Sequence, residues 1–299
     1  MADPNRLVAT LIANPATPSI TPQVVAEARA LLGDGMTKVL HPGVAVDLEC
    51  DGHEPAIAAS RLGAVIAGSP IDMVIQPATG RRKRLFLADM DSTMIEQECI
   101  DELADFVGLK AEVSAITERA MRGEIAFEPA LRERVALLRG LPIAIVERIL
   151  AERITLMPGG PTLLATMRAN GAYACLVSGG FTAFTGPIGA RLGFDENRAN
   201  RLLTHGGTLA GTVAEPILGR QAKRDTLVEL RDRLGLTPSD VLAVGDGAND
   251  LAMLSEAGLG IAYRAKPAVA AAAAARIDHG DLTALLYAQG YSSAEFVAG

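Results

Sequence analysis

The sequence is poor in residues that mark several common classes of protein. It contains no tryptophan and three cysteines, and aromatic residues make up 4% of its 299 positions. Cys50, Cys99 and Cys175 are far apart and form no Cys-x-x-Cys pair, which argues against a zinc site and a disulfide framework. No apolar run approaches the roughly 20 residues that a membrane helix needs. The start of the chain also lacks the features of a secretion signal, so we expect a soluble cytoplasmic protein with no membrane partner.

Positive charge is also in short supply. The chain carries 28 Lys and Arg against 35 Asp and Glu, which gives a net charge of −7. This balance disfavours a nucleic-acid partner, and the basic run at residues 81–84 is too isolated to reverse it. We interpret that run as a solvated linker. Apolar residues are plentiful at 49%, which is enough to form one large domain or two smaller ones.

Residues 1–80 show the pattern of a small α+β domain. Strands are predicted at residues 7–13, 38–40, 44–48 and 71–75, and helices at residues 22–32, with Thr21 as the cap, and at residues 54–62. The order β-α-β-β-α-β predicts a ferredoxin-like fold.

Residues 81–299 alternate short apolar strands with helical patterns. This alternation predicts an α/β domain with a doubly wound parallel sheet. The predicted strands are residues 85–88, 172–177, 241–244 and 260–263. Ligands bind such sheets at the carboxyl ends of the strands. The motifs that begin at Asp89, Ser178 and Gly245 each follow a predicted strand, so we expect them to lie together.

Three further segments complete the prediction for this half of the chain. Residues 95–156 are amphipathic and helical, and an insertion at this point can close over a site as a cap. Residues 198–215 have Gly206-Gly207 between two β-like runs, which is typical of a hairpin beside the sheet. Residues 270–275 are all alanine and predict a helix.

The segment Asp89-Met90-Asp91-Ser92-Thr93 places two carboxylates two residues apart. Side chains at positions i and i+2 of an extended segment point the same way, so Asp89 and Asp91 can converge on one small volume. A hard divalent cation such as Mg²⁺ would remove their repulsion and also accept phosphate oxygens. The alternative is that the segment only starts a helix, because Thr93 and Glu96 fit the Ser/Thr-x-x-Glu capping pattern.

Three later motifs favour the catalytic interpretation. Val177-Ser178-Gly179-Gly180, Lys223 and Gly245-Asp246-Gly247-Ala248-Asn249-Asp250 follow in the order found in the haloacid dehalogenase superfamily of aspartate-nucleophile phosphatases, which the chain resembles. Together with Glu98-Cys99-Ile100-Asp101-Glu102 and the segments at residues 119–123 and 131–135, they resemble the branch that hydrolyses phosphoserine. The glycines Gly245 and Gly247 are expected to permit a tight turn that brings the acids together.

The resemblance implies a role for each catalytic residue. Asp89 would be the nucleophile that forms an aspartyl-phosphate and would contact Mg²⁺. Asp91 would act as acid and then base, and its backbone carbonyl would be a second metal contact. Asp246 would be the third metal ligand, with Asp250 in the outer shell. Ser178 and Lys223 would stabilise the transferring phosphoryl group, although the neighbouring Arg224 could compete with Lys223.

The resemblance also implies how the substrate is bound. The amides of Gly179 and Gly180, together with Asn249, would hold phosphate oxygens. Glu98 would accept the amino group, and Arg134 would bind the carboxylate. Met121 and Phe127 would surround the substrate and exclude water. Arg132 is the rival for the carboxylate, but it lies about 200° round a helix from Arg134, so only one of the two should face the site.

The predicted function is therefore Mg²⁺-dependent hydrolysis of phosphoserine, the last step of serine synthesis. One alternative is a phosphatase or phosphotransferase for another small phospho-ester, such as phosphohomoserine or a sugar phosphate. Another is a serine-sensing protein with a vestigial catalytic half. Similar phosphatases carry N-terminal extensions that resemble ACT domains, which implies a possible serine site or homodimer contact in residues 1–80. A packing module with no ligand is the competing interpretation.

Overall fold

The structure is a computed structural model that describes residues 6–50, 52, 54–121 and 124–299, without the side chain of Met121. The strands are β1 (Leu7–Ala13), β2 (Thr37–His41), β3 (Ala45–Glu49), β4 (Ile71–Pro77), β5 (Leu85–Ala88), β6 (Tyr173–Phe181), β7 (Glu196–Asn200), β8 (Leu202–His205), β9 (Thr208–Val213), β10 (Val241–Gly245), β11 (Leu259–Tyr263) and β12 (Ala275–Ile277). The helices are α1 (Pro22–Leu32), α2 (Pro55–Ile66), α3 (Cys99–Phe106), α4 (Lys110–Met121), α5 (Phe127–Leu137), α6 (Ile145–Glu152), α7 (Gly160–Ala169), α8 (Thr182–Leu192), α9 (Arg220–Arg233), α10 (Leu251–Glu256), α11 (Pro267–Ala272) and α12 (Ala284–Ala288). No helix among the described residues is long and apolar enough to cross a membrane.

The N-terminal elements form an antiparallel sheet with the strand order β2-β3-β1-β4. Helices α1 and α2 pack on it around a core that includes Leu11, Leu48 and Leu62. As predicted, Thr21 caps α1, because its Oγ1 accepts a hydrogen bond from the Val24 amide at 3.2 Å. The element order β-α-β-β-α-β is the one that the sequence predicts.

The second sheet is parallel and confirms the predicted α/β architecture. Its strand order is β12-β11-β10-β5-β6-β7. The first strand in sequence, β5, lies between β10 and β6, so the chain turns in opposite directions on either side of it. Such a switch point leaves a crevice at the carboxyl ends of the central strands. All four residues of β5 are buried, because helices cover both faces of the sheet.

Two edge strands of this sheet were not predicted. Residues 196–200 form β7 of the parallel sheet, and only β8 and β9 form the hairpin that turns at Gly206-Gly207. Polar residues dominate β7, and Glu196 forms ion pairs with Arg198 and Arg233, so the strand lacks an apolar signature. At the other edge α11 ends at Ala272 and β12 begins at Ala275, where the sequence predicts a helix. Sheet pairing overrides the helix propensity of alanine here.

The predicted helical insertion is present between β5 and β6. The chain leaves and re-enters the core side by side, because Ile95 and Leu156 form an antiparallel bridge. Helices α3 to α6 lie within the insertion. The hairpin braces it, since the Leu209 amide donates to the Leu141 carbonyl at 2.7 Å and the Gly140 amide donates to the Leu209 carbonyl at 2.8 Å.

The basic run at residues 81–84 is not the solvated linker that we predicted. Arg81 forms an ion pair with Asp47 of β3 at 2.6 Å and donates to the Ala288 carbonyl of α12. Lys83 is 8% exposed and donates to the Gly80 and Ser239 carbonyls, and burial lowers its pKa. Arg81 therefore links the N-terminal sheet to α12, and Lys83 anchors the linker itself to the α/β core.

Candidate active site

The carboxyl ends of β5, β6 and β10 open into a cavity of about 530 Å³ beneath the helical insertion. Ten residues with a predicted site role line it: Asp89, Asp91, Glu98, Phe127, Arg134, Ser178, Gly179, Gly180, Asp246 and Asn249. Lys223 and Asp250 are buried directly behind Asp89. The side chain of Met121 lies outside the described residues. The fold thus gathers side chains that the sequence scatters over five segments.

Lys223 lies between two carboxylates at the floor of the cavity. Its Nζ atom is 2.8 Å from Asp89 Oδ1 and 2.7 Å from Asp250 Oδ1, and the side chain is fully buried. Burial by itself would lower the pKa of Lys223, but Asp250 and Asp89 outweigh it and raise the pKa above its usual value. Lys223 is therefore a fixed positive charge. Its rival Arg224 points away and pairs with Glu256 at 2.9 Å.

Asp250 has both carboxylate oxygens engaged. Oδ1 accepts from Lys223, and Oδ2 accepts from the Gly247 amide at 3.0 Å. These bonds hold Asp250 as the orienting partner of Lys223, which suits a position behind the predicted metal ligands.

The buried acids outnumber the cation beside them. Carboxylate oxygens of Asp89, Asp246 and Asp250 lie within 4.8 Å of one another, with Lys223 against two of the three acids. Burial first, and the charge of Asp250 second, raise the pKa of Asp89 well above its usual value. The same causes raise the pKa of Asp246 to about 6. A divalent cation with oxygen ligands would neutralise this excess, so the donor set fits such an ion.

Asp91 faces the cavity on the side of the insertion. Its Oδ1 accepts a long hydrogen bond from the Cys99 amide at 3.4 Å. Burial, followed by the negative charge of Glu98, raises the pKa of Asp91 to about 7. A carboxyl group in that range can hold and release a proton near neutral pH.

The alternative that this segment merely starts a helix is wrong. The first helix of the insertion begins at Cys99, and residues 91–94 form a turn. The Thr93 hydroxyl donates to Asp246 Oδ1 at 3.4 Å instead of capping a helix. Ser92 has a φ of 55°, a left-handed conformation that is uncommon without glycine, and its hydroxyl donates to Glu98 Oε1 at 2.8 Å.

Ser178, Gly179 and Gly180 lie inside the last part of β6, beyond the strand end that the sequence predicts. The pairing of β6 with β7 shifts register between Val177 and Phe181, which exposes this segment to the cavity. The Gly180 amide donates to Ser178 Oγ at 2.9 Å. A Cβ at Gly180 would lie 3.0 Å from Asp91 Oδ2, so a side chain at this position would press on the Asp91 carboxylate.

Asn200 fixes this segment from the neighbouring strand and was missed by the sequence analysis. Its Nδ2 donates to the Gly179 carbonyl at 2.8 Å, and its Oδ1 accepts from the Leu218 amide at 2.7 Å. An asparagine at the carboxyl end of a strand is a recognisable signal, but only once β7 is assigned to the parallel sheet.

The insertion contributes Arg134 from α5. Its Nε donates to the Ala130 carbonyl at 3.3 Å and its Nη1 to Thr117 Oγ1 at 3.2 Å. Burial lowers the pKa of Arg134, and among the described residues no carboxylate lies within ion-pair distance of it. Arg132 faces outward and pairs with Glu215 at 2.7 Å, as the helical spacing predicts.

Phe127 and two basic residues complete the lining of the cavity. The Phe127 ring lies 3.2 Å from the position that a Cβ on Gly179 would take, so it covers the predicted phosphate segment. Arg220 and Lys266 also line the cavity and carry positive charge at its exposed rim. Sequence reasoning missed both, because neither belongs to a motif.

Comparison with known proteins agrees with this geometry. Residues 86–255 match the model of the family described as haloacid dehalogenase-like hydrolase. The chain is 46% identical over 208 residues to phosphoserine phosphatase of Polaromonas sp. strain JS666, covering 68% of this chain and 88% of that protein. It is 37% identical over 274 residues to the probable phosphoserine phosphatase of Schizosaccharomyces pombe, covering 90% and 91%. The crystal structure of the unliganded probable phosphoserine phosphatase from Vibrio cholerae superposes with a TM-score of 0.76 at 32% identity, covering 97% and 88%. The chain belongs to the haloacid dehalogenase-like hydrolase family.

Proposed function

We propose that the protein hydrolyses O-phospho-L-serine to L-serine and phosphate with the help of Mg²⁺, as the last step of serine synthesis. The observation that carries this choice is Arg134, a half-buried cation in the cavity with no carboxylate partner among the described residues. A cation partly removed from water without an anion is disfavoured, and the carboxylate of an amino-acid substrate would compensate it with two parallel hydrogen bonds. The relatives named phosphoserine phosphatase support the same choice.

The proposed reaction has two steps on Asp89. Its carboxylate attacks phosphorus and the bond to the serine oxygen breaks, while Asp91 gives that oxygen a proton. Asp91 then takes a proton from the water that hydrolyses the aspartyl-phosphate. The Met90 amide at 2.7 Å and Lys223 at 2.8 Å both bind Asp89 Oδ1 and so fix its orientation. Mg²⁺ held by Asp89, Asp246 and the Asp91 backbone carbonyl would offset charge on the phosphoryl oxygens.

The remaining residues would bind the substrate around that centre. Ser178, Gly179, Gly180 and Asn249 line the phosphate end of the cavity, and Asp250 orients Lys223 behind it. Glu98 would accept the ammonium group, and Phe127 would exclude water. Met121 is expected to help Phe127, although its side chain is outside the described residues.

The test is phosphate release from L-phosphoserine with and without Mg²⁺. A panel with phosphothreonine, phosphohomoserine and sugar phosphates then separates the substrates. We expect the highest kcat/KM on phosphoserine, since a sugar phosphate leaves Arg134 uncompensated. A higher value on an ester without a carboxylate would reject the assignment. The contacts of Lys223 with Asp89 and Asp250 also disfavour a vestigial catalytic half.

We further propose that residues 1–80 form an ACT-like domain that mediates a homodimer and binds serine. Edge strand β2 supports the dimer, because Val39 is 59% exposed and the preceding Met36 is 66% exposed. Light scattering on the full chain tests the dimer. Serine titration by calorimetry into the full-length Arg134→Met variant tests the second site, and the absence of heat at millimolar serine would reject it.

A further inference from the structure

The Arg134 guanidinium has a side-chain hydrogen-bond partner in Thr117 of α4. The Thr117 hydroxyl donates to the Val113 carbonyl at 3.0 Å, one turn back in the same helix. Its proton is therefore committed, and the oxygen can only accept. Arg134 Nη1 donates to that oxygen at 3.2 Å, and both side chains line the cavity.

The second anchor of Arg134 is on its own helix, where Nε donates to the Ala130 carbonyl. An arginine guanidinium has five N–H groups in one plane. With Nε and one Nη1 hydrogen occupied, the other Nη1 hydrogen and both hydrogens of Nη2 remain for a ligand. Fixing the long side chain at two points also removes rotamer freedom before the ligand arrives.

We infer that Thr117 is a positioning residue that sets the plane of Arg134 for the substrate carboxylate. The inference rests on the proposed function, because it concerns the amino-acid part of the substrate. The competing explanation is local: threonines often return a hydroxyl bond to the carbonyl four residues earlier, with no functional consequence. That bond alone does not require the Thr117 oxygen to meet a cavity-lining arginine on another helix.

The decisive variant is Thr117→Val, which keeps the β-branched shape and removes the acceptor. We expect the KM for L-phosphoserine to rise about tenfold with kcat within about twofold, as for loss of one hydrogen bond to a charged group. O-phosphoethanolamine lacks the carboxylate, so its kcat/KM should stay at the wild-type value. Thr117→Ser restores the hydroxyl and should restore the KM.

A double-mutant cycle with Arg134→Met separates positioning from packing. If Thr117 acts through Arg134, Thr117→Val has no further effect on KM in the Arg134→Met background. An equal loss with both substrates, an unchanged KM, or an effect that persists without Arg134 would overturn the inference. If Thr117→Val does not fold by circular dichroism, Thr117→Ala and Thr117→Ser provide the same comparison.

The two proposals fail in different ways. A wild-type enzyme that does not prefer L-phosphoserine over O-phosphoethanolamine contradicts the proposed substrate. A wild-type enzyme that keeps this preference together with a silent Thr117→Val variant contradicts only the role of Thr117.

Discussion

Gly245 has no side chain, and the carboxyl group of Asp250 occupies the space where its Cβ would lie. A Cβ placed on Gly245 would lie 2.4 Å from Asp250 Cγ, far inside van der Waals contact. Gly245 and Gly247 were expected to permit a tight turn, but neither has a positive φ. Close approach is the reason for Gly245, because the Asp250 carboxylate must reach Lys223 at 2.7 Å.

The variant Gly245→Ala should therefore damage the site from within the sheet. The methyl group must displace Asp250, and Lys223 loses one of its two anchors. We expect kcat to fall at least tenfold and the free energy of unfolding to drop by about 1–3 kcal/mol. Gly63→Ala is the matched control, since Gly63 lies within α2 with no atom near its added methyl group. Unchanged kinetics in Gly245→Ala would contradict this packing argument.

The variant Asp89→Asn should abolish turnover and leave the fold intact. Burial and neighbouring Asp250 raise the pKa of Asp89, so the ionised form is disfavoured in the folded protein. A neutral amide of the same shape relieves that repulsion, and we expect a melting temperature no lower than that of the wild type without metal. Phosphate release should fall at least a thousandfold, as for loss of a nucleophile. Near-normal release would exclude Asp89 from that role.

Arg134→Met and Arg132→Met form a matched pair on one helix. Arg134 faces the cavity, whereas Arg132 is exposed and pairs with Glu215. We expect Arg134→Met to lower kcat/KM for phosphoserine by about 10- to 100-fold, the range for a charged hydrogen-bonded pair. Arg132→Met should stay within about twofold of wild type, because exposed ion pairs contribute little. Steady-state kinetics on both variants decide between the two arginines.

Mg²⁺ should raise the thermal stability of the wild type before any substrate is added. Binding to the folded state alone stabilises it by mass action, and the excess of buried acids over Lys223 provides the driving force. In Asp246→Asn one ligand and one charge are lost, so the shift in melting temperature should largely disappear. Calorimetric scans with Mg²⁺ and with a chelator measure the shift in melting temperature for the wild type and for Asp246→Asn. An equal shift in the variant would place the ion elsewhere.

Acid stability should depend on Glu196 at the edge of the sheet. Burial would raise the pKa of Glu196, but hydrogen bonds from Arg233, Arg198 and Tyr173 lower it to about 2, below its ordinary value of 4.5. The unfolded state therefore binds the proton more readily than the folded state. The stabilisation of the folded state by ionised Glu196 is present above pH 4.5 and is lost as the pH falls towards 2.

Glu196→Gln removes that contribution. We expect the variant to be about 1–2 kcal/mol less stable than the wild type in urea unfolding at pH 7, with the gap closing towards pH 2. Asp34→Asn, at an exposed position in the loop after α1, is the control and should show no such trend. A gap that is independent of pH would contradict the ionic origin.

The sequence could predict features that depend on local patterns. Apolar runs followed at once by polar motifs identify β5, β6 and β10 and the residues at their ends, because side-chain alternation and strand polarity are local properties. The N-terminal elements follow for the same reason, and Thr21 caps α1 as expected. Edge strands β7 and β12 were not predicted, because their pairing depends on the neighbouring strand more than on their own residues.

By itself the sequence determined the strands β5, β6 and β10 and the candidate catalytic motifs that follow them, because side-chain alternation and spacing are properties of neighbouring residues. The tertiary structure alone decided which side chains meet. Lys223 between Asp89 and Asp250, Arg134 against Thr117, and Arg81 against Asp47 join segments far apart in the chain. Their partners are set by the packing of sheets and helices, and burial together with those partners shifts the pKa of Asp89, Lys223 and Arg134, so these pairings and their electrostatics cannot be read from linear order.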